Sequence, residues 1–469
     1  MSAIHDLPAD ATMPSLPVAL DPVLMAARFQ PLLFPTDSPT SDRFRVAGCT
    51  IGRVKYRVQE KCVISYTLRI EDKDNERAEE HLFCARLFPT GLSHARYRKA
   101  QREPLVQSHH GDAVMHLPEL DMVIWAFPND RKIAGLARLM ASAARQNQDL
   151  DDLVTGHWGT DWQIVRHTHE LVHYVPEHTT TVRVRLLLDK AASSAQPVRA
   201  QEATLFGKAY YNDEGAETYR LMQLLWQRNA RQLEGVRVAQ PLAYDPETHV
   251  LWQMGLPGRT LLTYELGSPH FLALLPEAAQ SVARLHVADL LCARTTHLAP
   301  WLSQLPKSAT LLEQVRPDLL PFAHALVQAL LTNAPQPGDE PQATLHGDLH
   351  LQNFFVDESQ PVGQRLALID LDNLSTGSPW RDLGSFCASL YYRGLVEGKP
   401  MALLRQIVES FCTAYAHYVP WPLSRSAVDW YTAAALLNER VHRSISRLKA
   451  GRLELLDDLI WLATSLLSS

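Results

Sequence analysis

The sequence predicts an α+β chain, rich in antiparallel β-structure in its first half and rich in helices in its second. Three observations predict it. Residues 54–70 and 172–188 form long runs in which apolar and polar side chains alternate, as in half-buried hairpin strands. Residues 402–418, 426–449 and 452–468 repeat their apolar positions at the helical period. Between these regions, short strand-like runs such as Ala343-Thr344-Leu345, Phe354-Phe355-Val356 and Leu366-Ala367-Leu368 alternate with loops that concentrate acidic and amide side chains.

The β-rich half reads as two copies of one unit. Val54-Lys55-Tyr56 through Ile70 alternates as a hairpin, and Val172-His173-Tyr174 through Leu188 does the same further on. Each hairpin runs into a polar loop, 71–80 and 189–202. Each loop leads to a strand, 82–88 and 205–211, and each strand to a helical run, 91–101 and 215–227. Val123-Ile124-Trp125 then matches Val250-Leu251-Trp252. The expected divisions are an N-terminal extension at 1–40, a first β-rich copy at 41–150, a second at 151–254 and an α-rich remainder at 255–469. Leu251-Trp252-Gln253-Met254-Gly255 would connect the last two, as a strand that breaks at glycine.

Composition narrows the class. A chain of 469 residues exceeds one domain and suggests about three units. An apolar fraction of 46% with 20% charged residues is ordinary for a globular protein. The net charge of −6 argues against general affinity for nucleic acid or an anionic membrane. The six cysteines are scattered with no Cys-x-x-Cys pair, which fits a reducing cytoplasm better than a disulfide framework. Residues 1–40 carry Asp and Pro where a signal peptide would carry a basic start and an apolar core. A cytoplasmic protein is expected.

The chemistry concentrates in 345–384. His346-Gly347-Asp348 is followed by Asn353, then by Ile369-Asp370-Leu371-Asp372, then by Asp382-Leu383-Gly384. Phosphoryl transfer from a nucleotide needs a carboxylate to orient and deprotonate the attacking hydroxyl. It also needs hard oxygen ligands to hold magnesium on the phosphates. Asp348 suits the first role, and Asn353 and Asp370 suit the second. The interval of five from Asp348 to Asn353 is that of kinase catalytic loops.

His-Gly-Asp-x-His-x-x-Asn followed by Ile-Asp-x-Asp resembles the aminoglycoside phosphotransferase/choline kinase family, small-molecule relatives of the protein kinases. The resemblance covers roughly 160–400. It implies a protein-kinase-like two-lobe fold, with an antiparallel β-rich N-lobe and an α-rich C-lobe, here preceded by a degenerate N-lobe-like copy. It implies ATP and Mg2+ as cofactors and a small-molecule hydroxyl acceptor as partner. Lys208 matches the lysine that reaches the nucleotide phosphates, and Glu217, or else Glu214, the helix acid that steadies it. Gln253 and Met254 match the hinge that meets the adenine edge. Arg86 stands in the first copy where Lys208 stands in the second, and Arg is not equivalent to Lys at such a site. No glycine-rich loop precedes Lys208. Its place is taken by Val175-Pro176-Glu177-His178-Thr179-Thr180, whose threonines are candidate donors to phosphate.

Other residues carry smaller expectations. His286 and His350 read as packing or hydrogen-bonding histidines. Asp382 reads as a helix N-cap that also braces the catalytic loop. Asp372 would share one side with Asp370 if the segment is extended. Arg440, Arg443, Arg447, Lys449 and Arg452 form a basic cluster. It reads either as a solvated helix face or as a pocket for an acidic or phosphorylated compound. A kinase-like binding module without catalytic activity is the alternative to the enzyme.

Overall fold

The computed structural model describes residues 10–38, 41–140, 143–190, 200–231, 235–336, 338, 340–447 and 452–468. The chain forms two compact units. One comprises 1–213 with 245–250 and 446–450; the other comprises 214–244, 251–445 and 451–469. Lys449 of the basic cluster lies outside the described residues.

The β-rich half forms two five-stranded sheets. β1 (Phe44–Arg57), β2 (Lys61–Asp72), β3 (Arg77–Leu87), β4 (Val114–Leu117) and β5 (Met122–Ala126) form an antiparallel sheet of order β1-β2-β3-β5-β4. β6 (Trp162–Val175), β7 (Thr179–Lys190), β8 (Gln201–Tyr210), β9 (Pro241–Asp245) and β10 (Val250–Met254) follow the same pattern, in the order β6-β7-β8-β10-β9. A helix sits between the third and fourth strand each time, Ser93–Ala100 in the first and Glu214–Arg231 in the second.

The correspondence extends to single residues. Arg86 pairs with Val63, the third residue of β2, and Lys208 pairs with Thr181, the third residue of β7. The first hairpin turns at Gln59 and the second at Glu177, each with a φ of 59°. A preceding aspartate holds each turn. Asp10 accepts the Gln59 N–H at 2.8 Å and the Tyr56 hydroxyl at 2.8 Å. Asp130 accepts the Glu177 N–H at 3.0 Å and the Tyr174 hydroxyl at 2.7 Å.

Residues 10–38, which fall in the expected N-terminal extension, are tied to the first sheet. The Pro22–Leu33 helix starts on Pro, and Asp21 caps it by accepting the Val23 and Leu24 N–H groups at 2.8 and 3.0 Å. Met25, Phe29 and Leu33 recur every four residues, so they share one face. All three are buried in the same cluster as Tyr66 and Phe83 of the sheet. The Phe29 ring meets both at 5.5 and 5.4 Å between centroids. Alternation leaves one side of the sheet apolar, and this helix covers it.

The second unit is mainly helical. The Pro269–His286 and Arg425–Ala435 helices open on capping serines, Ser268 and Ser424. The expected 402–418 and 452–468 helices appear as Met401–Ala416 and Leu456–Leu466. The expected helix at 426–449 does not run unbroken. A π-helical turn, Leu436–Val441, separates Arg425–Ala435 from His442–Ser446. The extra residue per turn shifts the face that later side chains present. Phe386 joins the core between Phe354 and Phe411, at 5.3 and 4.3 Å between centroids. At Gly384 the Pro379–Val396 helix passes so close to the Tyr431 backbone that a Cβ would lie 2.6 Å from its carbonyl carbon. Among the described residues, no helix is long and apolar enough to cross a membrane.

Candidate active site

Two short ladders of the second unit frame the predicted loops. Ala343–Leu345 pairs antiparallel with Ser375–Gly377, and Phe354–Val356 pairs with Leu366–Leu368. The loops at 346–353 and 369–374 are tied to each other. The His346 ring Nε2 lies 3.0 Å from the Ile369 carbonyl, and the Ile369 N–H donates to the Asn353 carbonyl at 3.0 Å. Gly347 has a φ of 80°, and a Cβ there would lie 2.3 Å from the Asn373 carbonyl oxygen. Only glycine lets the loops approach this closely.

Asp382 fastens the first loop from below. Its carboxylate accepts the His346 N–H at 2.5 Å and the Gly347 N–H at 2.9 Å. Burial pushes its carboxyl up, but the His286 ring beside it and the Gly347 N–H hold it below the usual range. The bracing role is as expected; the capping role is not. Ser378 occupies the N-cap of the Pro379–Val396 helix, and Asp382 lies within its first turn. His286 is a buried structural histidine, as expected, with its ring between the Tyr415 hydroxyl at 2.7 Å and Asp382 at 3.3 Å.

Asp348 sits in the middle of the first loop. Its Oδ2 lies 3.7 Å from His350 Nε2 and its Oδ1 3.4 Å from Arg443 Nη2. Burial pushes this carboxyl up, but His350, Arg443 and His346 outweigh burial and hold it well below the ordinary carboxylate range. It is therefore ionised at neutral pH. Asn353 is buried, and its Nδ2 donates to the Asp348 carbonyl at 2.9 Å. Its Oδ1 is the atom that remains for a cation.

Asp370 adopts the left-handed conformation, φ 61° and ψ 56°, which is uncommon outside glycine and is concentrated at functional sites. The following residues, Leu371–Asn373, form a 3-10 turn. The segment is thus not extended, and the basis for setting Asp372 beside Asp370 is lost. The Asp372 carbonyl accepts from Arg294 at 3.0 Å. Among the described residues no group of three or more His, Cys, Asp and Glu side chains gathers as a metal site. One carboxylate and one amide oxygen suit magnesium that takes its other ligands from phosphate and water.

The remaining predicted residues are placed as follows. Lys208 lies on β8, with its Nζ 5.5 Å from the Tyr210 ring centroid. The Glu217 carboxylate is engaged by Arg220, at 2.7 Å from two nitrogens, and by the Ala293 N–H at 3.0 Å. Glu214 meets Arg294 at 3.4 Å. Gln253 and Met254 end β10, and the Met254 N–H donates to the Gln240 carbonyl at 2.9 Å. That amide is therefore not the one that would meet an adenine. In the β6–β7 hairpin, the Thr180 hydroxyl is buried and donates to the His173 carbonyl at 3.1 Å, so it serves the hairpin.

Two features were not legible in the spacing. Arg443 reaches the loop aspartate 95 positions away. Glu177, read only as a turn residue, is buried against three cations. Arg131 lies at 2.7 Å, Arg86 at 3.0 Å and Lys61 at 4.0 Å.

These loops, on this α+β fold, bring together the carboxylate and amide groups that phosphoryl transfer uses. Residues 203–421 match the model of the phosphotransferase enzyme family. Solved structures similar to parts of this chain include a choline kinase from Streptococcus pneumoniae, 12% identical over 69% of this chain and 99% of that one, with a TM-score of 0.43. A choline/ethanolamine kinase family protein from Mesorhizobium loti is 14% identical over 69% and 98%, with a TM-score of 0.42. An aminoglycoside phosphotransferase from Streptomyces rimosus, in complex with ADP and streptomycin, is 17% identical over 62% and 98%, with a TM-score of 0.35. No curated protein matches the chain at a significant level.

Proposed function

We propose that the protein transfers the γ-phosphoryl group of ATP to a hydroxyl of a small molecule, with Asp348 as the base. The observation that carries this reading is the cross-tied loop pair. Asp348, Asn353 and Asp370 are held on two loops that His346, Ile369 and Asp382 lock together. Asp348 stays ionised, so it can accept the hydroxyl proton and orient the oxygen for in-line attack. Asn353 and Asp370 would hold magnesium, which when bound neutralises charge on the nucleotide phosphates. Lys208 is assigned to the α- and β-phosphates, as the resemblance implies.

Asp370→Ala is expected to lower the affinity for magnesium–ATP at least tenfold, because it removes the strongest hard ligand of the pair. Asn353→Ala acts in the same direction more weakly. Nucleotide titrations with and without magnesium measure both. Unchanged magnesium–ATP affinity in Asp370→Ala rejects the metal role.

We further infer that residues 10–126 are a duplicated N-lobe without a nucleotide site of its own. The equal strand order, the matching positions of Arg86 and Lys208, and the paired Asp10 and Asp130 turns support this. Arg86 faces the Glu177 carboxylate at 3.0 Å, so an internal anion occupies it. Lys208→Ala is expected to weaken ATP binding at least tenfold. Arg86→Ala is expected to leave ATP affinity within about twofold and to lower thermal stability. Both are read by nucleotide titration with a melting control. The opposite pattern reverses the assignment of the two copies.

A further inference from the structure

Cations from the last helices reach the loop of the proposed base. Arg443, about one-third exposed, places Nη2 at 3.4 Å from Asp348 Oδ1. That contact is long for a charge-assisted hydrogen bond, so the guanidinium is near the carboxylate without being locked to it. Arg440 lies on the π-helical turn at 9% exposure, and among the described residues its Nε has no hydrogen-bond partner. Its Nη2 is 3.5 Å from Glu439, whose other oxygen already accepts from Ser385 at 2.7 Å. The Tyr392 ring lies 5.8 Å from the Arg440 guanidinium carbon and 5.2 Å from that of Arg452.

Each guanidinium carries five N–H donors. Among the described residues, Arg443 and Arg440 each make a single, long contact to a carboxylate. A buried arginine with an open donor is costly unless something completes it. An acceptor whose hydroxyl reaches Asp348 must also lie beside Arg443, because the two side chains are in contact. A cationic acceptor would there meet like charge, and an anionic one would find a fork suited to carboxylate or phosphate.

We propose that the acceptor is a small hydroxy compound bearing a carboxylate or phosphate group, bound through that group by Arg443 and Arg440. This rests on the phosphotransferase reading and deepens it. Arg443 is thus a specificity-determining residue that binds the acceptor without taking part in the proton transfer.

The test uses the full chain and two measurements. Calorimetry with the protein saturated in magnesium and a non-hydrolysable ATP analogue compares four kinds of probe. Glycerate and gluconate carry a carboxylate, and glycerol 3-phosphate a phosphate. Glycerol and glucose are neutral, and choline and streptomycin cationic. At least one anionic probe is expected to bind tenfold or more tightly than its neutral counterpart. The carboxylate and phosphate arms tell which group is preferred. Arg443→Gln is expected to weaken that probe at least tenfold with ATP-analogue affinity unchanged, and Arg443→Lys to restore part of it. In ATP-consumption assays the same variant should raise KM for that acceptor far more than it lowers kcat. Absence of anion binding, preference for choline or streptomycin, or equal affinity in Arg443→Gln overturns the inference. An anionic probe that binds through Arg443 but is not phosphorylated while a neutral or cationic one is overturns the inference alone; no ATP turnover on any probe, with anion binding intact, overturns the phosphotransferase reading instead.

Discussion

Asp348→Asn is expected to lower the rate of phosphoryl transfer by about 10²–10⁴-fold, the usual contribution of a positioned general base. ATP affinity should remain close to that of the wild type. The substitution keeps the shape of the side chain and removes its ability to take a proton. The surrounding loop is held by backbone groups that the substitution does not touch, since Asp382 grips His346 and Gly347 and Asn353 bonds the Asp348 carbonyl. Steady-state kinetics beside a nucleotide titration separates the two effects. Near wild-type turnover in Asp348→Asn rejects the assignment. The low proton affinity of this carboxyl adds a second expectation. In the wild type the base stays ionised as pH falls through the ordinary carboxylate range, so Asp348 itself should impose no loss of activity between pH 7 and about 4.

Glu177→Gln is expected to destabilise the first unit by about 3 kcal/mol, the lower end of the range for removing one partner of a buried ion pair. The side chain of Glu177 is 6% exposed and meets Arg86, Arg131 and Lys61. The amide leaves these cations without a counter-charge in a site that water scarcely reaches. The lower end applies because Arg131 is itself about one-third exposed and regains some hydration. For a unit of this size the loss corresponds to a fall of roughly 6–12 °C in melting temperature. Burial pushes the Glu177 carboxyl up, but Arg131 and Arg86 prevail and bring it down from 4.5 to about 2. Its stabilising contribution is therefore complete above pH 4.5 and is lost as pH falls from there through about 2. The melting temperatures of wild type and variant should converge over that interval. An equal gap at pH 7 and pH 2, or no gap at pH 7, would remove the ion cluster from the account.

The candidate loops were legible because their residues are contiguous. His346 to Asn353 spans eight residues, flanked by apolar runs that can only be short buried strands. Spacing within one loop survives folding unchanged, so residue type and interval are enough. The hairpin strands were legible for a related reason, since alternation over a dozen residues marks a strand wherever it occurs. The elements that pack on the first sheet were not. Asp10 and the Pro22–Leu33 helix belong to the first sheet through bonds to Tyr56 and Gln59 and through packing on Tyr66 and Phe83. Nothing in the local pattern of residues 10–38 names those partners.

The sequence by itself determined the α+β class, the antiparallel hairpins, the loop pair with Asp348, Asn353 and Asp370, and the family they resemble. Each follows from local period or from fixed intervals along the chain. Only the tertiary structure decided which charges meet. Arg86 and Glu177 stand 91 positions apart, and Asp348 and Arg443 stand 95 apart. Such pairs depend on how sheets and helices stack, which no local period encodes. The arginine run shows the difference within one segment. An unbroken helix over 426–449 would place Arg440, Arg443 and Arg447 on one face. In the folded chain Arg440 is buried and Arg443 meets the aspartate loop, which the spacing alone does not tell.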